Sequence, residues 1–221
     1  MDALSSAKPS DAAIILLAAG ESSRMGQPKQ LLPWRGVPLL AYQIQQAQAT
    51  TAGAIIVVLG SGTATLRAIA QRKAEPGRTR IVVNRRYRQG KTTSIIAGLR
   101  ALEVTPVAVM LLAVDQPRPR AVLQRLLDRH TLGKHPISVP AHRSRHGHPP
   151  IFDGSLVPEL LRITEAGQGI REVIERHRDA LREIEIDDPV VLTNLNRPED
   201  YQTAYAAFGQ PSPDGAPSAS N

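Results

Sequence analysis

Residues 17–29 read Leu-Ala-Ala-Gly-Glu-Ser-Ser-Arg-Met-Gly-Gln-Pro-Lys, a set of residue types suited to meeting an anion. Gly20 and Gly26 let the backbone turn and bring its N–H groups close to a charge. Arg24 offers phosphate oxygens a planar fork, and Lys29 offers a point charge. Pro28 stiffens the chain directly before Lys29. The glycine spacing fits neither a Walker A loop nor a dinucleotide fingerprint. Composition alone also allows an ordinary strand-to-helix connection with solvated charges.

Three further groups of residues have chemical potential. Asp115 follows a long apolar run, and such a carboxylate needs something to balance it. It either caps a helix that begins near Pro117 or binds a hard cation such as Mg²⁺, which takes oxygen ligands and keeps several waters. Asn84 ends another apolar run, and Gly90 opens a helix whose Ser94, Ala97 and Gly98 are small. A flat base can lie against such a face, but the same residues suit close packing of helix on sheet. His142, His146 and His148 lie within seven residues. They sit among Arg143, Arg145 and Gly147 in a predicted loop, unlike zinc ligands held on defined elements.

The elements that must position these groups follow from hydrophobic pattern. Apolar runs at 14–18, 54–59, 81–83, 107–114 and 137–139 alternate with amphipathic stretches at 38–49, 63–73, 92–102 and 120–129. Continuous hydrophobicity indicates strands buried on both faces, as in a parallel sheet. Strand and helix in turn predict right-handed βαβ units and an α/β fold: a doubly wound, mostly parallel sheet in three layers. Further on, 152–163 and 169–178 read as helical and 181–186 as a half-exposed strand. Pro198 opens a last helix to about residue 208. Residues 1–11 and 209–221 are expected to be loose, flanking one domain at 12–208. Ligands of open α/β sheets bind at the strands' carboxyl ends, and Asp115 and the first loop both sit there.

Composition bounds the function. The 221 residues are 42% hydrophobic but only 3% aromatic, so the core is aliphatic. There is no cysteine, which excludes disulfides, thiolate chemistry and cysteine-ligated metals. The apolar stretch 12–19 is short and flanked by Asp11, Glu21 and Arg24. It reads as a buried strand rather than a signal peptide, with a cytoplasmic location expected. No window approaches the roughly 20 apolar residues of a membrane span. The net charge of +7 attracts anions. Scarce aromatics and the lack of a helix-turn-helix or zinc-finger pattern disfavour nucleic acid as the main partner.

The first loop closely resembles the signature of nucleotidyltransferases of the molybdopterin cytidylyl- and guanylyltransferase type. These belong to the wider family of sugar-phosphate and methylerythritol-phosphate nucleotidyltransferases. The match runs through Leu17-Ala-Ala-Gly20, Arg24-Met-Gly26, Pro28-Lys29, Leu31-Leu32-Pro33 and Gly36-Val-Pro-Leu-Leu40. It continues in Val82-Val-Asn84, Gly90, Ser94-Ile-Ile-Ala-Gly-Leu99, Asp115-Gln-Pro117 and Gly147-His148-Pro149. The resemblance covers about residues 14–205. It implies a Rossmann-like fold in which Arg24 and Lys29 bind a triphosphate and stabilise departing pyrophosphate. Ala18, Ala19 and Gly20 would meet base and phosphates, with Asn84, Gly90 and Ser94 completing the nucleotide seat. Asp115 would hold Mg²⁺ or Mn²⁺, and Gly147, His148 and Arg171 would face the acceptor.

Two departures from the pattern stand out. Gly167-Gln-Gly169-Ile-Arg171 resembles the family's Gly-Asp-x-Gly-Ala-Arg but lacks its aspartate. Asn194-Leu-Asn196-Arg-Pro-Glu-Asp200-Tyr201 resembles Asp-Ile-Asp-Thr-Pro-Glu-Asp-Tyr, with asparagines replacing two aspartates; Asn196 is then a neutral metal ligand. The implied reaction joins CMP from CTP to a molybdopterin-type acceptor, with a molybdenum hydroxylase apoenzyme as a possible partner downstream. The Ala18-Ala19 pair favours CTP, since guanylyl relatives tend to carry an extra glycine there. The alternatives are transfer to a sugar phosphate, a non-catalytic cofactor carrier, and an oxidoreductase acting on another heterocycle.

Overall fold

The computed structural model describes residues 10–22, 25–60 and 64–211. The expected loose ends at 1–9 and 212–221 lie outside these, as does Arg24.

The central strand is β1 (Ser10–Ala18). Its residues alternate between two cores. Ala12, Ile14, Leu16 and Ala18 join one cluster, and Ile15 and Leu17 join the other. A small antiparallel pair, β2 (Pro33–Trp34) and β3 (Val37–Pro38), leads into α1 (Leu39–Gln48). Then come β4 (Ala52–Leu59), α2 (Ala64–Lys73), β5 (Thr79–Val83), α3 (Lys91–Arg100), β6 (Ala108–Ala113) and α4 (Arg120–Gly133). The remaining elements are β7 (Ile137–His142), β8 (Arg145–His146), β9 (Ile151–Asp153), α5 (Val157–Leu160), α6 (Ile170–Arg176), β10 (Leu181–Glu185) and α7 (Pro198–Ala204).

The sheet order is β10-β7-β9-β6-β1-β4-β5, with β8 paired to β7. β1 runs parallel to both β4 and β6, and β5 and β10 extend the parallel set outward. Helices α1, α2 and α4 pack on one face and α3, α5 and α6 on the other. This is the expected mostly parallel, three-layered α/β architecture. The chain winds outward from β1 to β5, then returns to the other side of β1 as β6. The reversal makes a switch point between β1 and β6, and ligands of such sheets bind outside the carboxyl ends there. The register aligns those ends, because Ala18 pairs with Leu59 and Leu17 with Ala113.

The structure corrects two local expectations. The segment 152–163 is not one helix. Ile151–Asp153 is a strand wedged antiparallel between β6 and β7, with Phe152 fully buried. Pro149 and Pro150 lack the N–H groups of a helical start and hold the entry extended. Asp153 then accepts a hydrogen bond from Ser155 N at 2.9 Å, and the helix is confined to the turn of α5. The histidine segment is a hairpin rather than a plain loop. β8 pairs with β7 around Arg143 and Ser144, both at positive φ.

Candidate active site at the carboxyl edge of the sheet

Beyond β1 the chain turns through Ser22, at φ 58°, and Gly26, at φ 66°. Ser22 Oγ accepts from the Lys29 backbone N at 3.0 Å and closes the loop. Gln30 fixes its shape: the carboxamide donates to Ala18 O at 2.8 Å and Gly20 O at 2.9 Å. The short helical turn Lys29–Leu31 aims the lysine back across the sheet. Lys29 Nζ lies 2.9 Å from Asp115 Oδ2, although 86 residues separate them. The ion pair is largely enclosed, with side-chain exposures of 10% for Lys29 and 25% for Asp115.

Asp115 stands where β6 ends. The Val114 N–H donates to Leu17 O at 3.0 Å, so the turn stays fastened to β1. Gln43, fully buried on α1, donates to Ala113 O at 3.1 Å and Gln116 O at 2.8 Å, bracing the same turn from behind. The carboxylate makes no helix cap: α4 starts only at Arg120, and its flanking residue is Pro119. What balances the carboxylate in this structure is the Lys29 ammonium.

Lys29 and Asp115 line one cavity of about 290 Å³ together with Ala19, Gly20, Ser22, Gln30, Tyr87, Lys91 and Ser94. Asn84 lies behind this wall. Its amide donates to Thr93 Oγ1 at 2.8 Å and Ser94 Oγ at 3.0 Å, tying β5 to α3. Gly90 sits at φ 119°, a conformation that side chains with a Cβ rarely adopt, and the Glu165 carboxyl lies close against it. Glu165 Oε1 accepts from Thr92 N at 2.7 Å. An acidic group thus reaches the start of α3 from the loop that lacks the expected aspartate at Gly167.

The acceptor-side candidates divide. Gly147 and His148 lie against residues 189–195: His148 N donates to Val191 O at 3.0 Å, and a Cβ on Gly147 falls 2.4 Å from that carbonyl. Arg171 does not line the cavity. It borders a separate surface depression with Gly167, Gln168 and Glu172. The three histidines go different ways. His142 is buried, with Nδ1 2.9 Å from Ile186 O, while His146 Nε2 meets Glu183 at 2.6 Å on the surface.

Protein packed around the His148 ring, then Arg118 and Lys91, lower its pKa to about 4, and Asp115 opposes them. The linkage sign follows. The folded ring refuses a proton that the unfolded chain accepts below about 6.5. Its contribution to stability is full above that pH and is lost as pH falls toward about 4. Denaturant midpoints at about pH 7.5 and pH 4.5 should therefore differ more for the native chain than for His148→Gln. Equal differences would show that the ring carries none of the acid sensitivity.

Sequence reasoning missed Arg118. Its side chain is fully buried yet meets no carboxylate at bonding distance among the described residues. Nε donates to His148 O at 2.8 Å, Nη1 to Pro117 O at 2.9 Å, and Nη2 to Val191 O and Thr193 O at 2.8 and 2.9 Å. Burial lowers its pKa to about 9, against the pull of Asp115 and Asp188, so it remains cationic at neutral pH. This one side chain joins the turn after β6 to the His148 and 189–195 segments.

Leu195 N donates to Asp115 O at 2.8 Å and lays the Asn194–Asn196 segment along the turn. Asn194 Oδ1 is buried with no hydrogen-bond partner among the described residues. One carboxylate and asparagine oxygens fit Mg²⁺ or Mn²⁺, which phosphates and water complete. No cluster of three or more His, Asp or Glu occurs among the described residues.

The lysine–carboxylate pair and its cavity lie at the switch point of an open α/β sheet, where ligands of such folds bind. The chain belongs to the MobA-like NTP transferase family, whose domain matches residues 14–181, and this is a family of nucleotidyltransferases. It is 32% identical to nicotine blue oxidoreductase of Paenarthrobacter nicotinovorans, covering 71% of this chain and 78% of that one. It is 28% identical to a probable molybdenum cofactor guanylyltransferase of a Nostoc species (92% and 95% covered). To the molybdenum cofactor cytidylyltransferase of Escherichia coli it is 26% identical (88% and 95% covered). The structure superposes on Rv0371c of Mycobacterium tuberculosis with a TM-score of 0.76 at 26% identity, covering 90% of this chain and 100% of that one.

Proposed function

We propose that this chain transfers CMP from CTP to the phosphate of a molybdopterin-type acceptor and releases pyrophosphate. The observation that carries the reading is the placement of Lys29 and Asp115 on one cavity at the switch point, within the motifs of the family. An acceptor phosphate oxygen attacks the α-phosphorus, and the bond from that phosphorus to the β-phosphate's bridging oxygen breaks. No covalent nucleophile from the protein is needed, because the acceptor phosphate is already ionised. The work of the residues is alignment and charge neutralisation. Lys29 leaves Asp115 for the triphosphate tail, and Arg24 joins it from the same loop. Ala19 and Gly20 face the nucleotide, Ser94 borders it on α3, and Gly147 and His148 face the acceptor. Asp115, with Asn196 beside it, would hold Mg²⁺ or Mn²⁺, which supplies Lewis-acid neutralisation of phosphate charge. CTP is favoured by the Ala18-Ala19 pair.

The full chain should be incubated with each nucleoside triphosphate, Mg²⁺ or Mn²⁺ and molybdopterin, with pyrophosphate measured. Release with CTP is the expected result. Release with GTP alone would overturn the base assignment, and release with none would overturn the transferase reading. The 32% identity to nicotine blue oxidoreductase favours one rival, a redox reaction of a heterocycle on this scaffold. Colour change of nicotine blue supplied with a hydride donor, dependent on the protein and without pyrophosphate release, would establish it.

A further inference from the structure

A second cavity, of about 430 Å³, lies at the opposite edge of the sheet from Asp115. Its walls include Val107, His130, Lys134, Pro136, Asp153 and Ser155. Val107 and Pro136 directly precede β6 and β7, so this is the edge where those strands begin. The cavity of Lys29 and Asp115 opens where β1 and β6 end, and the two share no lining residue.

His130 lines this second cavity although it is only 3% exposed. Its Nδ1 lies 2.8 Å from Ser138 Oγ, and its Nε2 has no hydrogen-bond partner among the described residues. Ser138 is buried too, and its hydroxyl has no other acceptor among them. The hydroxyl therefore donates to Nδ1, which leaves the ring proton on Nε2. Burial, the largest influence, lowers the pKa of the ring against the pull of Asp153, so the imidazole is neutral at neutral pH. An enclosed N–H without an acceptor is destabilising, and this one belongs to a cavity wall.

The same cavity holds two opposite charges that do not meet. Asp153 Oδ1 accepts from Ser155 N at 2.9 Å and from Ser155 Oγ at 2.5 Å, while Oδ2 has no partner among the described residues. Lys134 directly follows α4 and pairs with no described carboxylate. A simple anion would be drawn to Lys134 and the imidazole N–H but repelled by Asp153, and a simple cation would meet the reverse. A ligand that carries both charges satisfies all three groups. Val107, 47% exposed, and Pro136 offer it an apolar wall.

We propose that this cavity binds a small aliphatic amino acid as its zwitterion, with the ammonium on Asp153 Oδ2 and the carboxylate on Lys134 and His130 Nε2. The assignment stands independently of the nucleotidyl-transfer reading. The probe is L-leucine, titrated calorimetrically into the full chain. Isoamylamine and 4-methylpentanoate, which are leucine without its carboxylate and without its amine, test the need for both charges. The variants are Asp153→Asn and Lys134→Gln. Asparagine keeps an oxygen for Ser155 N, and Lys134 is exposed, so both should fold.

Leucine should bind the native chain, and each variant should weaken it about tenfold or more, the loss of one charge-assisted contact. Each single-charge fragment should bind the native chain weaker than leucine by about tenfold or more. In NMR spectra of histidine-labelled native chain, leucine should shift the His130 ring signals and leave those of His148, held at the other edge by Arg118. No binding of leucine would overturn the assignment, as would either fragment binding as tightly as leucine or unchanged affinity in both variants. Shifts at His148 without any at His130 would overturn it too, since the ligand would then sit at the other edge.

Discussion

Asp115→Ala is expected to lower nucleotidyl transfer by about a thousandfold or more while leaving the fold in place. A divalent cation contributes several kcal/mol of charge stabilisation to a phosphoryl transition state, and about 1.4 kcal/mol is tenfold in rate. Asp115 is the acidic oxygen donor on the cavity wall, since the other lining residues are neutral or cationic. The truncated side chain leaves Lys29 without its partner, but the lysine faces a cavity that water can enter. The turn keeps its shape through backbone and Gln43 hydrogen bonds that the substitution does not touch. Circular dichroism should therefore match the native chain, while Mn²⁺ binding followed by electron paramagnetic resonance should be lost. Asp115→Asn keeps the volume but not the charge and should fall almost as far. Activity within tenfold of native, with the fold intact, would remove Asp115 from the reaction.

Much of this arrangement is legible in sequence because it depends on local pattern. Residues 14–18 and 108–113 are apolar without interruption and short, which suits strands covered on both sides in a parallel sheet, and the loops that follow them gather at one edge. Lys29 and Asp115 are recognisable because each sits directly after such a strand or its loop. Gly90 shows the limit. Its glycine is legible, but the φ of 119° that requires it, and the Glu165 carboxylate that meets it from a loop 75 residues away, are not. The short strand Ile151–Asp153 is equally opaque, since three residues carry no periodicity and it exists only through its neighbours β6 and β7. Gln30, Gln43 and Arg118 are invisible for the same reason. A polar residue next to an apolar run reads as surface until the distant carbonyls it serves are known.

Arg118 carries the largest stability effect. Four carbonyls converge on it from three separate stretches, Pro117, His148 and Val191 with Thr193. Removing the guanidinium leaves them without donors in the interior, where each unsatisfied group costs about 1–3 kcal/mol. Water that enters the vacated space recovers part of this. Arg118→Met is therefore expected to destabilise the chain by about 3–5 kcal/mol, a fall in melting temperature of about 10 °C for a chain of this size. Arg118→Lys should rescue little, because three donors at one point do not span carbonyls that a planar fork reaches at once. Differential scanning calorimetry of both variants measures this, and a Met variant melting within about 2 °C of native would refute it. The same side chain holds the segments proposed to face the acceptor, so its loss has a second consequence. His148 and the 189–195 segment would no longer be held to the end of β6, and binding of the acceptor should weaken more than binding of CTP. A variant that melted lower but bound both ligands as before would separate the two roles and leave Arg118 purely structural.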